Sequence, residues 1–340
     1  MLNISANTII YVLCPAFNKT GGTELAHQLV YSVNQSGVKA KIVYYQNGLR
    51  PMQINDAFKK YVNKFLKVSE IVDTEENIIV TPEIDIQYLN HIKKAQKIIW
   101  WMSVDNYTKR HYIFDAYKHF GLWTTIRGVL KGRLKMSPYT HFDKSITHLY
   151  QSEYAYNYLK KCGVTNSVRL SDYLNASYLN LNIDTSRTDQ VLYNPRKGFK
   201  FTQKLMKLAP DITWVALQNM TTEQVKDTLL HSKVYIDFGN HPGKDRFPRE
   251  AAMCGCCVIT GKRGSASFFE DVPIADEFKF DESSKTIPLI ILKIRECLDN
   301  YEKESPKFNG YREFIKGEYQ TFQDDVKSIF HLTENSKNQD

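Results

Sequence analysis

No run in this chain of 340 residues approaches the roughly 20 consecutive apolar residues that a membrane-spanning helix needs. The opening segment, MLNISANTIIYVLCPAFNK, has an apolar stretch of only about seven residues and no basic residue ahead of it, so it reads as a first strand and not as an export signal. Cysteine is sparse: Cys14, Cys162, Cys254, Cys256, Cys257 and Cys297 lack the dense spacing of a disulfide scaffold. Cys254-Gly255-Cys256-Cys257 has no second Cys/His pair at zinc-finger spacing, so these thiols are expected as small buried residues in a helix-to-strand turn, and no metal is expected. No Gly-Lys-Ser/Thr closes a phosphate loop, and no complete Gly-x-Gly-x-x-Gly fingerprint with its ribose-binding acid stands near Tyr44–Gly48, which argues against a nicotinamide-dependent oxidoreductase. A cytoplasmic, reduced protein is the expectation.

What is present supports a large folded chain. Hydrophobic residues make up 42% and aromatic residues 13%, and the length exceeds what one hydrophobic core usually serves, so two domains are expected. Only Glu334 to Asp340 is polar and aperiodic enough to be expected without structure. The net charge of +8 suits anionic partners such as nucleotides, nucleic acid or an acidic membrane surface. The basic residues match no nucleic-acid-binding motif, so nucleic acid is not expected.

Short apolar runs alternate with amphipathic stretches, the sequence form of repeated βα units around parallel sheets. Strands are predicted at Thr8–Cys14, Ala40–Tyr45, Ile78–Thr81, Lys97–Met102 and Ile146–Gln151, with helices at Thr23–Gln35, Ile84–Lys94 and Ser152–Cys162. A polar stretch, Leu179–Asp189, reads as a linker. Beyond it, strands are predicted at Gln190–Tyr193, Thr213–Ala216, Lys233–Phe238 and Cys256–Thr260. Helices are predicted at Gly198–Leu208, Thr221–Leu230, Pro248–Cys254, Ser283–Tyr301 and Tyr311–Phe330. The fold class is therefore α/β, two Rossmann-like domains facing a central cleft: residues 1–180 with a basic, aromatic insertion at 105–140, then 190–310, then a helix at 311–330 packing back on the first domain.

Three loops follow strands and open helices, where free N–H groups and the helix dipole favour an anion. Asn18 to Thr23 carries Gly21-Gly22, which permits either close backbone approach to a ligand or a plain tight turn. Tyr193-Asn194-Pro195-Arg196-Lys197-Gly198 offers a forked guanidinium and a point charge suited to a diphosphate. Gly261 to Ser267 is basic, glycine-rich and hydroxyl-bearing through Gly264 and Ser265.

The most informative stretch runs from Phe238 to Thr260: strand end, polar Gly/Pro loop, helix opening at Pro248, glycine stop at Gly255, then a β-branched strand. Within it, Glu250-Ala251-Ala252-Met253-Cys254-Gly255-Cys256-Cys257-Val258-Ile259 resembles the donor-site helix of GT-B glycosyltransferases, particularly the retaining family 4 type. The resemblance implies that Glu250 binds the ribose hydroxyls of a nucleotide; read from the residues alone, Glu250 is a helix-start acid facing the dipole. It also implies that Arg196 and Lys197 neutralise a diphosphate, with Asn194 of the same loop a nucleotide-binding candidate, and that Gly21-Gly22 faces the bound substrates. His241, Lys244, Asp245 and Arg249 become candidate sugar- and nucleotide-binding groups, with Gly264 and Ser265. One departure matters. Eight positions before Glu250 stands Pro242, where the family pattern has a first Glu. His241-Pro242 is also similar to the His-Pro motif of bacterial GT-B sialyltransferases, which use a nucleoside-monophosphate sugar.

The implied reaction moves a sugar from a nucleotide sugar to a glycan or lipid-linked acceptor, as in surface polysaccharide synthesis, with the leaving phosphate stabilised by Arg196, Lys197 and the Gly264–Ser265 turn without a metal. Retention is the preferred outcome. Inversion would need a base from the first domain, for which Asp105 is the candidate; a helix-start or turn aspartate is its other reading. A catalytically altered nucleotide-binding scaffold is the alternative that the missing first Glu leaves open. Finally, the stretch 107–136 interleaves aromatic and basic residues with no acid between Phe120 and Met136. It reads either as a surface lying on an anionic bilayer, at the inner face of the plasma membrane, or as an insertion packed over the first domain.

Overall fold

The alternating pattern becomes two all-parallel sheets, of seven and five strands, in a computed structural model that describes residues 2–46, 48–183 and 186–331. The expectation for Glu334 to Asp340 lies outside the described residues. Contacts divide the chain into two units: residues to Asp172 with those from Gln320 onward, and Tyr173–Tyr319.

The first unit is built on β1 (Ile9–Pro15), β2 (Lys39–Tyr45), β3 (Leu66–Lys67), β4 (Ile78–Pro82), β5 (Gln96–Trp101), β6 (Thr147–Tyr150) and β7 (Ser167–Arg169), in the order β3-β2-β1-β4-β5-β6-β7. Ile10 to Cys14 are buried throughout, because a central parallel strand is covered on both faces; that is why they read as a continuous apolar run. The helices are α1 (Gly21–Gln35), α2 (Val104–His111), α3 (Ile113–Phe120), α4 (Leu122–Leu130) and α5 (Glu153–Lys161). Thr20 caps α1 in a reciprocal box with Thr23, so Gly21 and Gly22 become its first two residues.

The helix expected at Ile84–Lys94 is instead a run of tight 3₁₀ turns, Glu83–His91, broken at Asp85 (φ −129°). Side-chain bonding accounts for the break. Glu83 accepts from the Met102 N–H (3.0 Å), and Asp85 accepts from the Tyr45 hydroxyl, so both carboxylates are turned inward.

The second unit has β8 (Thr188–Tyr193), β9 (Thr213–Ala216), β10 (Ser232–Asp237), β11 (Cys257–Gly261) and β12 (Lys279–Phe280), ordered β12-β11-β10-β8-β9. Its helices are α6 (Phe199–Leu208), α7 (Thr222–Leu230), α8 (Arg246–Met253), α9 (Ile287–Asp299), α10 (Tyr301–Glu304) and α11 (Asn309–Ile329). Strand β8 starts inside the expected linker. Helix α8 starts at Arg246, two residues before the expected Pro248, which still falls where a helical N–H has no partner within the helix. Glu250 is consequently past the first turn, so its reading as a helix-start acid is corrected. Cys254, Cys256, Cys257 and Cys297 are buried free thiols in this core; the Cys256 thiol donates to the carbonyls of Leu229 (3.2 Å) and Ser232 (3.4 Å).

Helix α11 belongs to both units. Its last part lies in the first, where Gln323 donates to Ser32 Oγ (2.8 Å) and Asp325 accepts from the Ser171 N–H (2.9 Å).

Candidate functional site in the second unit

In a parallel sheet, the loops that follow the strands gather at the carboxyl edge, and a crevice opens where the strand order reverses direction. In the second sheet that point lies between β8 and β10, which are adjacent although β9 intervenes in sequence. The loops after β8, β10 and β11 therefore meet: Asn194–Gly198, Phe238–Asp245 and Lys262–Ser267. They meet closely. A side chain on Gly198 (φ +57°) would place Cβ 1.1 Å from the Phe238 carbonyl oxygen, and one on Gly264 (φ +56°) would lie 2.0 Å from that of His241. Only glycine fits both the backbone and the space.

Asn194 organises the first loop, its Oδ1 accepting from the Arg196 N–H (3.0 Å) and its carbonyl from that of Lys197 (3.1 Å). Arg196 is exposed, whereas the Lys197 ammonium turns inward and donates to Asp245 Oδ2. His241 is fully buried between two carboxylates. Its Nδ1 is 3.0 Å from Asp245 Oδ2, and its Nε2 is 3.6 Å from Asp237 Oδ1. Burial lowers the imidazole pKa, but the charge of Asp237 and the bond and charge of Asp245 outweigh it, and the net direction is upward. For Asp245 burial pulls upward, and His241 with Lys197 hold it below the ordinary carboxylate range. The result is an alternating line of charges, Asp237–His241–Asp245–Lys197. Among the described residues Asp237, His241 and Asp245 also form a set of metal-ligand type, their donor atoms within 4.8 Å of one another.

Ser265 is buried and braces the second loop: its N–H donates to the His241 carbonyl (2.9 Å) and its hydroxyl to that of Gly243 (2.6 Å). Lys244 and Arg249 turn into the unit. Lys244 Nζ reaches Glu318 Oε1 (2.6 Å), Arg249 reaches Glu318 Oε2 (2.7 Å), and Arg249 also donates to the carbonyls of Lys244 (3.0 Å) and Asp245 (3.2 Å). Both thus hold the loop from beneath. Glu250, half-buried on α8, lies near the Tyr178 phenol, whose pKa is raised first by burial and then by the Glu250 charge. Beside the loops is a cavity of about 470 Å³ lined by Pro195, Arg196, Gly198, Lys200, Arg263 and Glu282.

The remaining candidates belong to the first unit. Gly21 and Gly22 open α1 at that sheet's own reversal point, between β1 and β4. Asp105 lies in the first turn of α2 and accepts from the Tyr154 hydroxyl (2.8 Å). Three acids carry more of the local structure than their sequence context suggests. Glu318 has no local signal, being 69 residues from Arg249. Asp237 stands at the end of an apolar strand, where a buried charge is a signal in itself. Glu83, fully buried, has its pKa pushed up to about 8, chiefly by burial.

No family model matches the chain, and no curated protein matches it in sequence. Solved structures do. TarM aligns with TM-score 0.66 at 11% identity, covering 95% of this chain and 98% of its own. The sucrose-phosphate synthase of Thermosynechococcus elongatus aligns with TM-score 0.61 at 13% identity, over 95% of this chain and 98% of that one. Anabaena HepE, solved with UDP-glucose, aligns with TM-score 0.58 at 11% identity over 95% and 100%. The chain has the fold of the GT-B glycosyltransferases, two Rossmann-like α/β domains.

Proposed function

We propose that this protein is a glycosyltransferase that uses a nucleotide sugar and acts on a glycan or lipid-linked acceptor. The observation that carries the reading is the meeting of an exposed Arg196, a Lys197 held by Asp245 and the Gly264 turn at the reversal point of the second sheet. The fold adds support, since HepE was solved with UDP-glucose on a similar framework.

In this reading the bond from the sugar's anomeric carbon to the phosphate oxygen breaks as a bond to the acceptor hydroxyl forms. Negative charge grows on the departing diphosphate. Arg196, from its exposed position, supplies a forked pair of N–H groups, Lys197 a point charge, and the N-terminal end of α6 its free N–H groups. The charge is met by these groups, and no metal is called on. Asp245 fixes the ammonium beforehand, so little rearrangement is needed as charge develops. Glu250 takes the ribose hydroxyls. Retention is preferred, with the acceptor's proton passing to the leaving phosphate; inversion would need Asp105 as base, a carboxylate oriented by the Tyr154 hydroxyl. The buried His241 is enclosed by carboxylates, which weakens a sialyl-type role for His241-Pro242. Six unpaired buried thiols suit a reducing compartment, the cytoplasm.

A thermal-shift panel of UDP, GDP, CMP, dTDP and NAD tests this. One sugar-carrying nucleotide should stabilise the protein, by about 2.7 kcal/mol at a hundredfold excess over its Kd. Arg196→Ala and Glu250→Ala should each remove that shift. No shift with any nucleotide would leave a non-catalytic scaffold as the better reading, and intact binding in both variants would refute the site.

A further inference from the structure

Helices α3 and α4 are built inside out. On α4, Leu122, Ile126, Val129 and Leu130 recur at the spacing of one helical face, which in a core helix would point inward. Here that face is exposed: Leu122 is 56% exposed, Leu130 81%, and Trp123 beside them 80%. What packs inward is Thr125, 6% exposed, and Gly128, where a Cβ would come 2.7 Å from Leu134 Cδ1. Helix α3 adds Phe114 and Tyr117, 58% and 56% exposed. The chain thus uses small residues to seat the pair and spends its large apolar ones on the outside, whereas an exposed apolar patch this dense marks an interaction site.

Charge tells which kind. Between Tyr107 and Met136 stand seven Lys or Arg against one acid, Asp115. Behind the apolar edge a cavity of about 560 Å³ is lined by Lys109, Arg127, Lys131 and Arg133, together with Arg110 and His111. Arg110 is engaged, donating to the Ile84 carbonyl (3.2 Å) near Asp85 (3.7 Å). No carboxylate pairs with Lys109, Arg127, Lys131 or Arg133 among the described residues. Four like charges around one hollow repel unless an anion joins them. A second copy of the same face would bring cations onto cations, which disfavours self-association.

We propose that α3 and α4 dock this protein on an anionic lipid bilayer. The apolar edge around Trp123 and Leu130 enters the boundary between headgroups and acyl chains, and lipid phosphates fill the cationic hollow. No helix among the described residues is long and apolar enough to cross a membrane, so the contact lies in the interface plane. The inference stands independently of the sugar-transfer reading.

The protein supplies its own reporter, since Trp100 and Trp101 are buried, Trp214 is half-buried and only Trp123 is widely exposed. Full-length protein is mixed with vesicles of phosphatidylcholine, with and without phosphatidylglycerol, and followed by sedimentation and tryptophan emission. Binding and a blue shift are expected with the anionic vesicles and should weaken with salt. Trp123→Glu/Leu130→Glu should abolish binding, and Lys131→Gln/Arg133→Gln should weaken it about fivefold per charge removed. Both pairs lie on exposed positions, so an unchanged melting temperature in each verifies folding. Absence of the wild type from anionic vesicles, or binding that survives both pairs, overturns the proposal. So does a dimer in light scattering that Leu130→Glu converts to monomer, because the face would then be an interface between copies.

Discussion

Arg249 shows how a residue can carry a motif's appearance and serve the frame beneath it. Its guanidinium is fully buried and pairs with Glu318, which also takes the Lys244 ammonium. Breaking a buried pair leaves an uncompensated charge, so Glu318→Ala or Arg249→Met should cost about 3–5 kcal/mol in chemical denaturation. Because Arg249 also bonds the carbonyls of Lys244 and Asp245, its loss should loosen the loop that presents Asp245 to Lys197. A variant that kept full stability and lost only nucleotide binding would return Arg249 to the ligand. The sequence showed the cations and hid their partner. Local spacing reveals i, i+4 neighbours, but Glu318 reaches this loop only through the tertiary path of α11. Similarly, Asp245 and Lys197 were each legible as polar loop residues, while their bond, across 48 positions, was not.

At the scale of elements, glycines of positive φ differ in kind: Gly198 joins two loops that follow parallel strands, whereas Gly163 only ends helix α5. Gly198 and Gly163 both have positive φ, +57° and +73°. A Cβ on Gly163 would meet nothing within 4 Å, whereas one on Gly198 would collide with the Phe238 carbonyl oxygen. Gly163→Ala should therefore cost only the backbone strain, roughly 1–2 kcal/mol. Gly198→Ala should cost more than that and also erase the nucleotide shift, since the Asn194–Gly198 and Phe238–Asp245 loops can no longer touch. Equal melting temperatures for the two variants would contradict this packing argument. Elements with strong periodicity, such as β1 and α1, were readable within one or two residues, because burial on two faces or on one leaves a clear pattern. Two-residue strands β3 and β12 were not, since they are too short to show a period. The insertion at 105–140 was recognised as basic and aromatic, but only the structure reveals that its apolar face points outward.

Taken as a whole, the molecule carries buried groups whose proton affinities draw stability in opposite directions, and Glu83 and His241 pull the same way. Glu83, in the first unit, has its folded pKa pushed up to about 8 by burial, against about 4.3 for an unfolded glutamate. The folded state therefore holds a proton that the unfolded state has lost across that interval. Stability is complete below the unfolded value and declines as pH rises toward the folded one, by up to about 1.4 kcal/mol per pH unit. His241, in the second unit, is also raised, above an ordinary value near 6.5, so its contribution is present below that value and is lost as pH climbs through the folded one. Acids whose pKa is lowered, such as Asp245, work against the fold only as pH falls through their own depressed values. His27 and His148, whose pKa burial pushes down to about 4, pull the other way. Below about pH 6.5 the unfolded chain takes up their protons and the folded one does not, so they cost stability as pH falls from 8 to 6. The net charge of +8 grows toward acid and adds self-repulsion. Glu83→Gln mimics the protonated carboxyl, so it should flatten the slope and raise the melting temperature at pH 8 while changing little at pH 5. His241→Asn should flatten only the part above roughly pH 6.5. A Glu83→Gln variant whose melting temperature tracks that of the wild type at pH 5 and at pH 8 alike would show that Glu83 holds no proton in the folded state.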